Sequence, residues 1–267
     1  MEDLQKTPAR LTFLGTGTSI GVPVIGCDCA VCRSDDPKNT RLRSSLMVEV
    51  DGFRLVVDTG PDFRQQCLSE GVTELDAAIF THAHSDHIMG FDDLRRFTLP
   101  ADRFLPIYAT EDCMTRLEKA FEYAFDGENH YPGYLKPRPQ VIDGPFQVGP
   151  WEVTPLPVTH GKVVTVGFLF DHVGGVRFAY IPDAKLISAK AMELLQDVPL
   201  LIIDGLQMEE HWTHLSIPEA VEVITQVKAK QAWLTHLSCR VDYTEIEPTL
   251  PDHIRLAWDG LKVSLDS

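Results

Sequence analysis

The sequence predicts an α/β protein in which two mixed sheets pack face to face with helices outside them. Short runs rich in β-branched and aromatic residues recur along the chain. Those of the first half follow one another closely, and those of the second half alternate with amphipathic helical stretches. Consecutive strands followed by strand–helix alternation suit two packed sheets better than one doubly wound sheet. With 267 residues, 44% of them hydrophobic, the chain is long enough to bury a substantial core, and no linker divides it, so residues 1–267 are expected to form a single domain.

In chain order, strands are expected at residues 11–14, 46–50 and 53–57, and a helix at 61–70. A strand at 77–81 ends in a polar, histidine-rich turn. A strand at 107–109 leads into a helix at 111–125. Residues 126–150 carry five of the 18 prolines and read as a loop-rich flap near a site. Strands at 163–170 and 176–181 precede a helix at 189–196. A strand at 200–203 precedes a helix at 217–228, where Ser216 is placed to cap and Pro218 occupies a permitted first-turn position. A strand at 232–235 closes the series.

The charge balance narrows the function classes. Lys and Arg number 24 against 39 Asp and Glu, a formal net charge of −15. Such a chain repels a phosphate backbone at long range, which speaks against nucleic acid and for a small-molecule partner. The first ten residues are polar, and no run approaches the ~18 apolar residues of a membrane span, so a cytoplasmic protein with no membrane association is expected. A cytosol keeps thiols reduced, so clustered cysteines point to metal or reactivity before disulfides. The run "PKNTRLRSS" supplies Lys38, Arg41 and Arg43, read as a solvated basic face more readily than as an anion-binding edge.

"AAIFTHAHSDHIMG" is the most informative stretch. Thr81 is followed by His82, His84, Asp86 and His87, four metal-ligand side chains within six residues. Imidazoles two apart in an extended turn can grip one ion from the same side, while Asp86 and His87 reach toward a second, and a pair of ions can activate one bridging water.

T-H-A-H-S-D-H followed by Gly90 resembles the H-x-H-x-D-H signature of the metallo-β-lactamase superfamily, and the similarity runs along nearly the whole chain. The resemblance implies an αββα four-layer sandwich. "LPVTHG" offers His160, "YIPDAK" offers Asp183 and "WLTHLS" offers His236. The resemblance then implies one divalent metal on His82, His84 and His160, a second on Asp86, His87 and His236, and Asp183 between them. "LVVDTGPDF" places Asp58 as a supporting carboxylate that accepts a ring N–H of a ligand histidine. A set rich in imidazole with two carboxylates suits Zn²⁺, Mn²⁺ or Fe.

Fold alone does not choose a reaction. "GTGTSIGVPVIGCDCAVC" is similar to the opening of the PhnP-type phosphodiesterases, and "HWTHLS" matches their additional histidine, making His214 a candidate general acid or phosphate contact; read alone, His214 is a neighbour of the Ser216 helix cap. The resemblance implies a dinuclear phosphodiesterase acting on a small substrate, a cyclic ribosyl or nucleotide phosphodiester among the options, through a metal-bridged hydroxide. It also implies a homodimer. The alternatives are a tRNA 3′-processing nuclease, a PqqB-like protein of quinone-cofactor biosynthesis, and a metal-binding scaffold without turnover.

Cys27, Cys29 and Cys32 form C-x-C-x-x-C outside any βαβ redox context. A closed structural Zn²⁺ needs a fourth ligand. Where the PhnP-like family has a histidine three positions beyond its last catalytic histidine, this chain has Cys239, which implies a Cys₄ site. Cys67 and Cys113 read as small apolar helix residues, and His130, His172, His211 and His253 as surface or packing residues.

Overall fold

The computed structural model describes residues 9–99, 103–127, 131 and 133–265; the first eight residues and His130 lie outside them. The first sheet takes β1 (Ala9–Gly15), β2 (Ser45–Val50), β3 (Phe53–Val57), β4 (Ala77–Ile79), β5 (Leu105–Ala109) and β6 (Pro137–Val141). The second takes β7 (Phe146–Val148), β8 (Trp151–His160), β9 (Val163–His172), β10 (Arg177–Ile181), β11 (Leu186–Ile187), β12 (Leu200–Asp204), β13 (Gln231–Thr235) and β14 (Ile254–Leu256). Finally β15 (Lys262–Leu265) returns to the first sheet beside β1. The orders are β15-β1-β2-β3-β4-β5-β6 and β11-β8-β9-β10-β12-β13-β14, with β7 paired to the start of β8. Both sheets are mixed.

Strands buried on both faces carry unbroken apolar runs whose alternate residues serve different layers. In β12, Leu200 and Ile202 enter the core between the sheets, while Leu201 and Ile203 pack outward. In β3, Leu55 and Val57 face inward and Val56 outward. The inner layer centres on Trp151, Phe168, Phe170 and Phe178, with the Phe170 and Phe178 rings stacked 4.6 Å apart. Emptying a buried site of that size costs about 3–5 kcal/mol.

The outer layers follow from helical amphipathicity. Outside the first sheet lie α1 (Phe63–Glu70), the short α2 (Ser85–Ile88), a 3₁₀ segment at Phe91–Thr98, α3 (Glu111–Ala120) and α4 (Glu122–Phe125). Outside the second lie α5 (Ala189–Leu194), α6 (Ile217–Val227) and α7 (Tyr243–Ile246). The Ser216 side chain accepts from the Glu219 N–H while the Glu219 carboxylate accepts from the Ser216 N–H, closing a capping box at the start of α6. The four-layer sandwich expected from the sequence is the observed fold.

Four expectations need correcting. The helix at 111–125 is two, because Phe121 leaves helical geometry. The segment 126–150 is not loop throughout but holds β6 and β7, and none of its described residues lines the metal cleft. β8 escapes sequence reading because Pro155 and Pro157 interrupt it; they fall in the gap between β7, which pairs through Val153, and β11, which pairs from Val158, where a missing N–H costs no ladder bond. Finally, Arg41 in the basic run is buried, 1% exposed, with its guanidinium donating to the carbonyls of Lys38, Ser238 and Val241 and to Asn39 Oδ1; carbonyls turned inward, not water, take up its donors.

Candidate metal centre

The polar residues predicted for the site lie at strand ends. Asp58 follows β3, His82 to His87 follow β4, His160 ends β8, Asp183 follows β10 and His236 follows β13. Asp58 and His236 hold the left-handed backbone region, at φ 63° and 59°, which non-glycine residues keep only where their surroundings enforce it.

Asp58 is fully buried and organises the cluster. It accepts 2.8 Å bonds from the Thr81 N–H and hydroxyl and from His87 Nδ1. With its proton given to Asp58, the Thr81 oxygen is free to accept from His82 Nδ1 at 3.0 Å. His160 Nδ1 donates to the Thr213 carbonyl at 2.8 Å. These three bonds put the Nδ1 of His82, His87 and His160 to use as donors, so that in the neutral ring Nε2 is the nitrogen left with a lone pair.

The lone pairs converge. His84 Nδ1 lies 2.9 Å from His82 Nε2 and 3.2 Å from His160 Nε2. His87 Nε2 faces Asp86 at 3.2 Å and Asp183 Oδ1 at 3.3 Å, while His236 Nε2 lies 3.4 Å from Asp183 Oδ2. His87 Nε2, Asp183 Oδ1 and both His236 ring nitrogens are buried without a hydrogen-bond partner. Within each of two groups, His82–His84–His160 and Asp86–His87–Asp183–His236, the ligand atoms all lie within 4.8 Å of one another. Asp183 stands between the groups, its Oδ2 3.5 Å from His160 Nε2.

Acceptors packed this closely repel one another unless a cation stands among them, so the donor set fits divalent metal. Burial holds the imidazoles of His82, His84 and His160 below the ordinary histidine pKa, in the neutral form that ligates metal. For His87, burial acts downward, but Asp183, Asp86 and Asp58 outweigh it and raise the pKa well above the ordinary value. The carboxylates of Asp58, Asp86 and Asp183 are paired with histidines and with no Lys or Arg among the described residues, so the site attracts positive charge.

His214 sits beside these groups, its ring stacked on His236 with centroids 4.6 Å apart. Its Nδ1 donates to Asp204 Oδ2 at 2.7 Å. Asp204, fully buried at the end of β12, escaped the sequence reading. Its signal was present, since "LIIDG" repeats the apolar strand, Asp and nearby Gly of "LVVDTG". His211, expected as a surface or packing residue, lines the cleft, its ring centroid 5.3 Å from that of His214. The cleft, of about 420 Å³, is walled by Ser19, Lys162, Thr213 and the metal-site side chains.

The four sulfurs of Cys27, Cys29, Cys32 and Cys239 lie within 4.8 Å of one another, and all four are free thiols. A Zn–S bond of about 2.3 Å in a tetrahedron sets sulfurs about 3.8 Å apart, so the cluster fits a Cys₄ zinc ion. The Cys32 N–H donating to Cys29 Sγ lowers that thiol to about 7, whereas burial pushes the Cys32 thiol up to about 12. Burial also raises Cys67, to about 12, and Cys113, consistent with inert packing residues.

The beta-lactamase superfamily domain matches residues 53–237. A solved structure of a new diphosphatase from the PhnP family shares 38% identity and covers 97% of both chains at a TM-score of 0.88. An octanoyltransferase of Porphyromonas gingivalis (strain ATCC BAA-308 / W83) is 39% identical over 262 residues, 96% of this chain but 52% of its own length, so the chain spans about half of that curated relative. Zinc-bound PqqB from Methylobacterium extorquens, at 20% identity, 96% and 100% coverage and a TM-score of 0.80, shares the fold.

Proposed function

The chain belongs to the metallo-β-lactamase superfamily and to its PhnP family, and from that premise we propose that it is a cytoplasmic, metal-dependent hydrolase of small phosphodiesters. One observation carries the reading: seven metal-ligand side chains converge in two adjacent groups, and a carboxylate-held histidine stands beside them. Two divalent cations of the Zn²⁺, Mn²⁺ or Fe kind, when bound, would supply Lewis-acid polarisation of a phosphoryl oxygen and a nucleophile available near neutral pH.

The chain's own residues do the rest. His82, His84 and His160 would hold one cation, Asp86, His87 and His236 the other, with Asp183 shared. Asp58 keeps the His87 ring in one tautomer and, through Thr81, the His82 ring as well. Asp204 engages His214 Nδ1, leaving Nε2 as the nitrogen that gives a proton to the departing oxygen. The Cys₄ zinc, set apart from this chemistry, would fasten the N-terminal loop to the loop after His236. The substrate is a small molecule, and the working unit a homodimer.

The octanoyltransferase name belongs to a chain about twice as long, and the donor set here suits phosphoryl chemistry. The test is a panel offered to metal-loaded protein: bis(p-nitrophenyl) phosphate and 2′,3′-cyclic nucleotides, with a β-lactam and a glutathione thioester as contrasts. Hydrolysis of the phosphodiesters alone is expected. Thioester cleavage with every phosphodiester left intact would overturn the reading.

A further inference from the structure

His211 lines the metal cleft yet belongs to neither ligand group, and its ring is anchored at one nitrogen. The Thr213 N–H donates to His211 Nδ1 at 3.4 Å, and the Thr213 hydroxyl lies 3.4 Å from the same atom. A ring nitrogen that accepts carries no proton, so the hydrogen of the neutral imidazole sits on Nε2. Burial, joined by the neighbouring His214 and Lys185, holds the ring below the ordinary histidine pKa and so in that neutral form near pH 7. His211 is only half-buried. Its Nε2 has no hydrogen-bond partner among the described residues and is not one of the buried orphan atoms, so this N–H is open to solvent. The anchor is fixed in turn: the Thr213 carbonyl accepts from His160 Nδ1 at 2.8 Å, so one residue holds both the donor and a candidate metal ligand.

A phosphodiester has two non-bridging oxygens, and charge builds on both during attack. Of the side chains that line the cleft, Ser19, Lys162, His211 and Thr213 are the donors not assigned to metal or to the leaving group. The Thr213 hydroxyl faces His211 Nδ1, and no bond to another described residue fixes the Ser19 hydroxyl or the Lys162 ammonium. His211 alone presents an N–H whose tautomer is already set. A donor in place before the reaction costs no reorganisation as charge develops.

We propose that the His211 Nε2–H holds a non-bridging phosphoryl oxygen of the substrate and stabilises its charge during attack, while His214 serves the departing oxygen. The proposal rests on the phosphodiesterase reading and adds a substrate-binding donor to that site. Two histidines three residues apart then act on different atoms of one phosphate.

The test follows bis(p-nitrophenyl) phosphate and adenosine 2′,3′-cyclic phosphate on metal-loaded wild type, H211F and H211Q. Phe keeps a ring beside His214 but has no donor, and Gln returns an N–H at a similar reach. H211F is expected to lower kcat/KM about 10²-fold on both substrates alike with the metal content unchanged, and H211Q to recover roughly ten-fold of the loss. Wild-type activity in H211F would overturn the proposal, since packing of the ring would then suffice. So would a loss confined to the cyclic substrate, which would place His211 in proton delivery, or a loss that H211Q does not recover. A metal content that falls in H211F would overturn it as well, because the effect would then run through Thr213 and His160. Should wild type hydrolyse neither compound, the parent reading fails separately, and calorimetry with inorganic phosphate on metal-loaded protein decides this one. A Kd raised roughly five-fold in H211F and restored in H211Q supports the contact. Equal Kd values in all three proteins, or no phosphate bound by wild type, overturn it.

Discussion

At the scale of single residues, the Asp204–His214 pair makes the sharpest prediction. An alkoxide leaving group needs a proton, whereas p-nitrophenolate departs without one. His214→Ala should therefore lower kcat about 10²-fold on an alkyl-leaving cyclic nucleotide and far less on bis(p-nitrophenyl) phosphate. Asp204→Asn should reproduce that pattern in weaker form, because an amide accepts the Nδ1 proton less strongly than a carboxylate does. A uniform loss across leaving groups would assign His214 to phosphate binding instead. The two residues differed in how visible they were. His214 sits in a stretch whose spacing to His236 can be counted, while Asp204 closes an apolar run like any turn carboxylate, and its partner lies ten residues on, across a loop that only the fold returns.

At the scale of elements, two of the loops that carry the site are wedged by something other than their ligands. Gly60 approaches the metal loop so closely that a Cβ there would lie 2.0 Å from the Asp86 carbonyl, and Gly90 would meet Gly60 in the same way at 2.1 Å. Gly60→Ala should cost about 1–3 kcal/mol, read as a lower denaturation midpoint at unchanged m, and should reduce the metal bound per chain, because the backbone of a ligand residue has to move. The second loop, residues 236–241, is fastened by Arg41, whose guanidinium, pulled down to about 10 by burial, donates to the Ser238 and Val241 carbonyls on either side of Cys239. Cys239→Ser should release about one zinc per chain and lower Tm by roughly 5–10 °C, with Cys67→Ser keeping the zinc count unchanged. Zinc content that ignores Cys239 would sink the Cys₄ assignment. The spacing of the sequence points to three of the thiols and the family resemblance to Cys239, but sequence reading placed Arg41 in solvent, since a local run of cations says nothing about carbonyls contributed from nearly 200 residues away. It also passed over β6 and β8, whose prolines look like breakers until the unpaired strand edges that tolerate them are known.

At the scale of the molecule, the two sheets, with the short β7 left aside, repeat one plan: three antiparallel pairings followed by three parallel ones. No repeat is evident in the sequence, because the plan is kept by hydrogen-bond direction and not by side-chain identity. It nevertheless aligns the chemistry: Asp58 and Asp183 follow the fourth strand of their respective orders, β3 and β10, and His82 and Asp204 stand at or just beyond the next, β4 and β12. The site is thus assembled where the carboxyl ends of both sets meet, as ligand sites in α/β sheets generally are. The whole-molecule field then distinguishes the substrate classes. Even with three divalent cations bound, a chain of formal charge −15 stays negative, so a phosphodiester anion meets long-range repulsion that salt relieves. Raising KCl from about 20 to about 200 mM should increase kcat/KM for bis(p-nitrophenyl) phosphate by about two-fold. An enzyme that grips a polynucleotide through many phosphate contacts loses affinity steeply over the same range, because binding releases counterions. A salt titration on loaded enzyme therefore separates the two readings by sign: a rise supports the small anion, and a steep fall would point to an extended nucleic-acid substrate held by local basic surface in spite of the net charge.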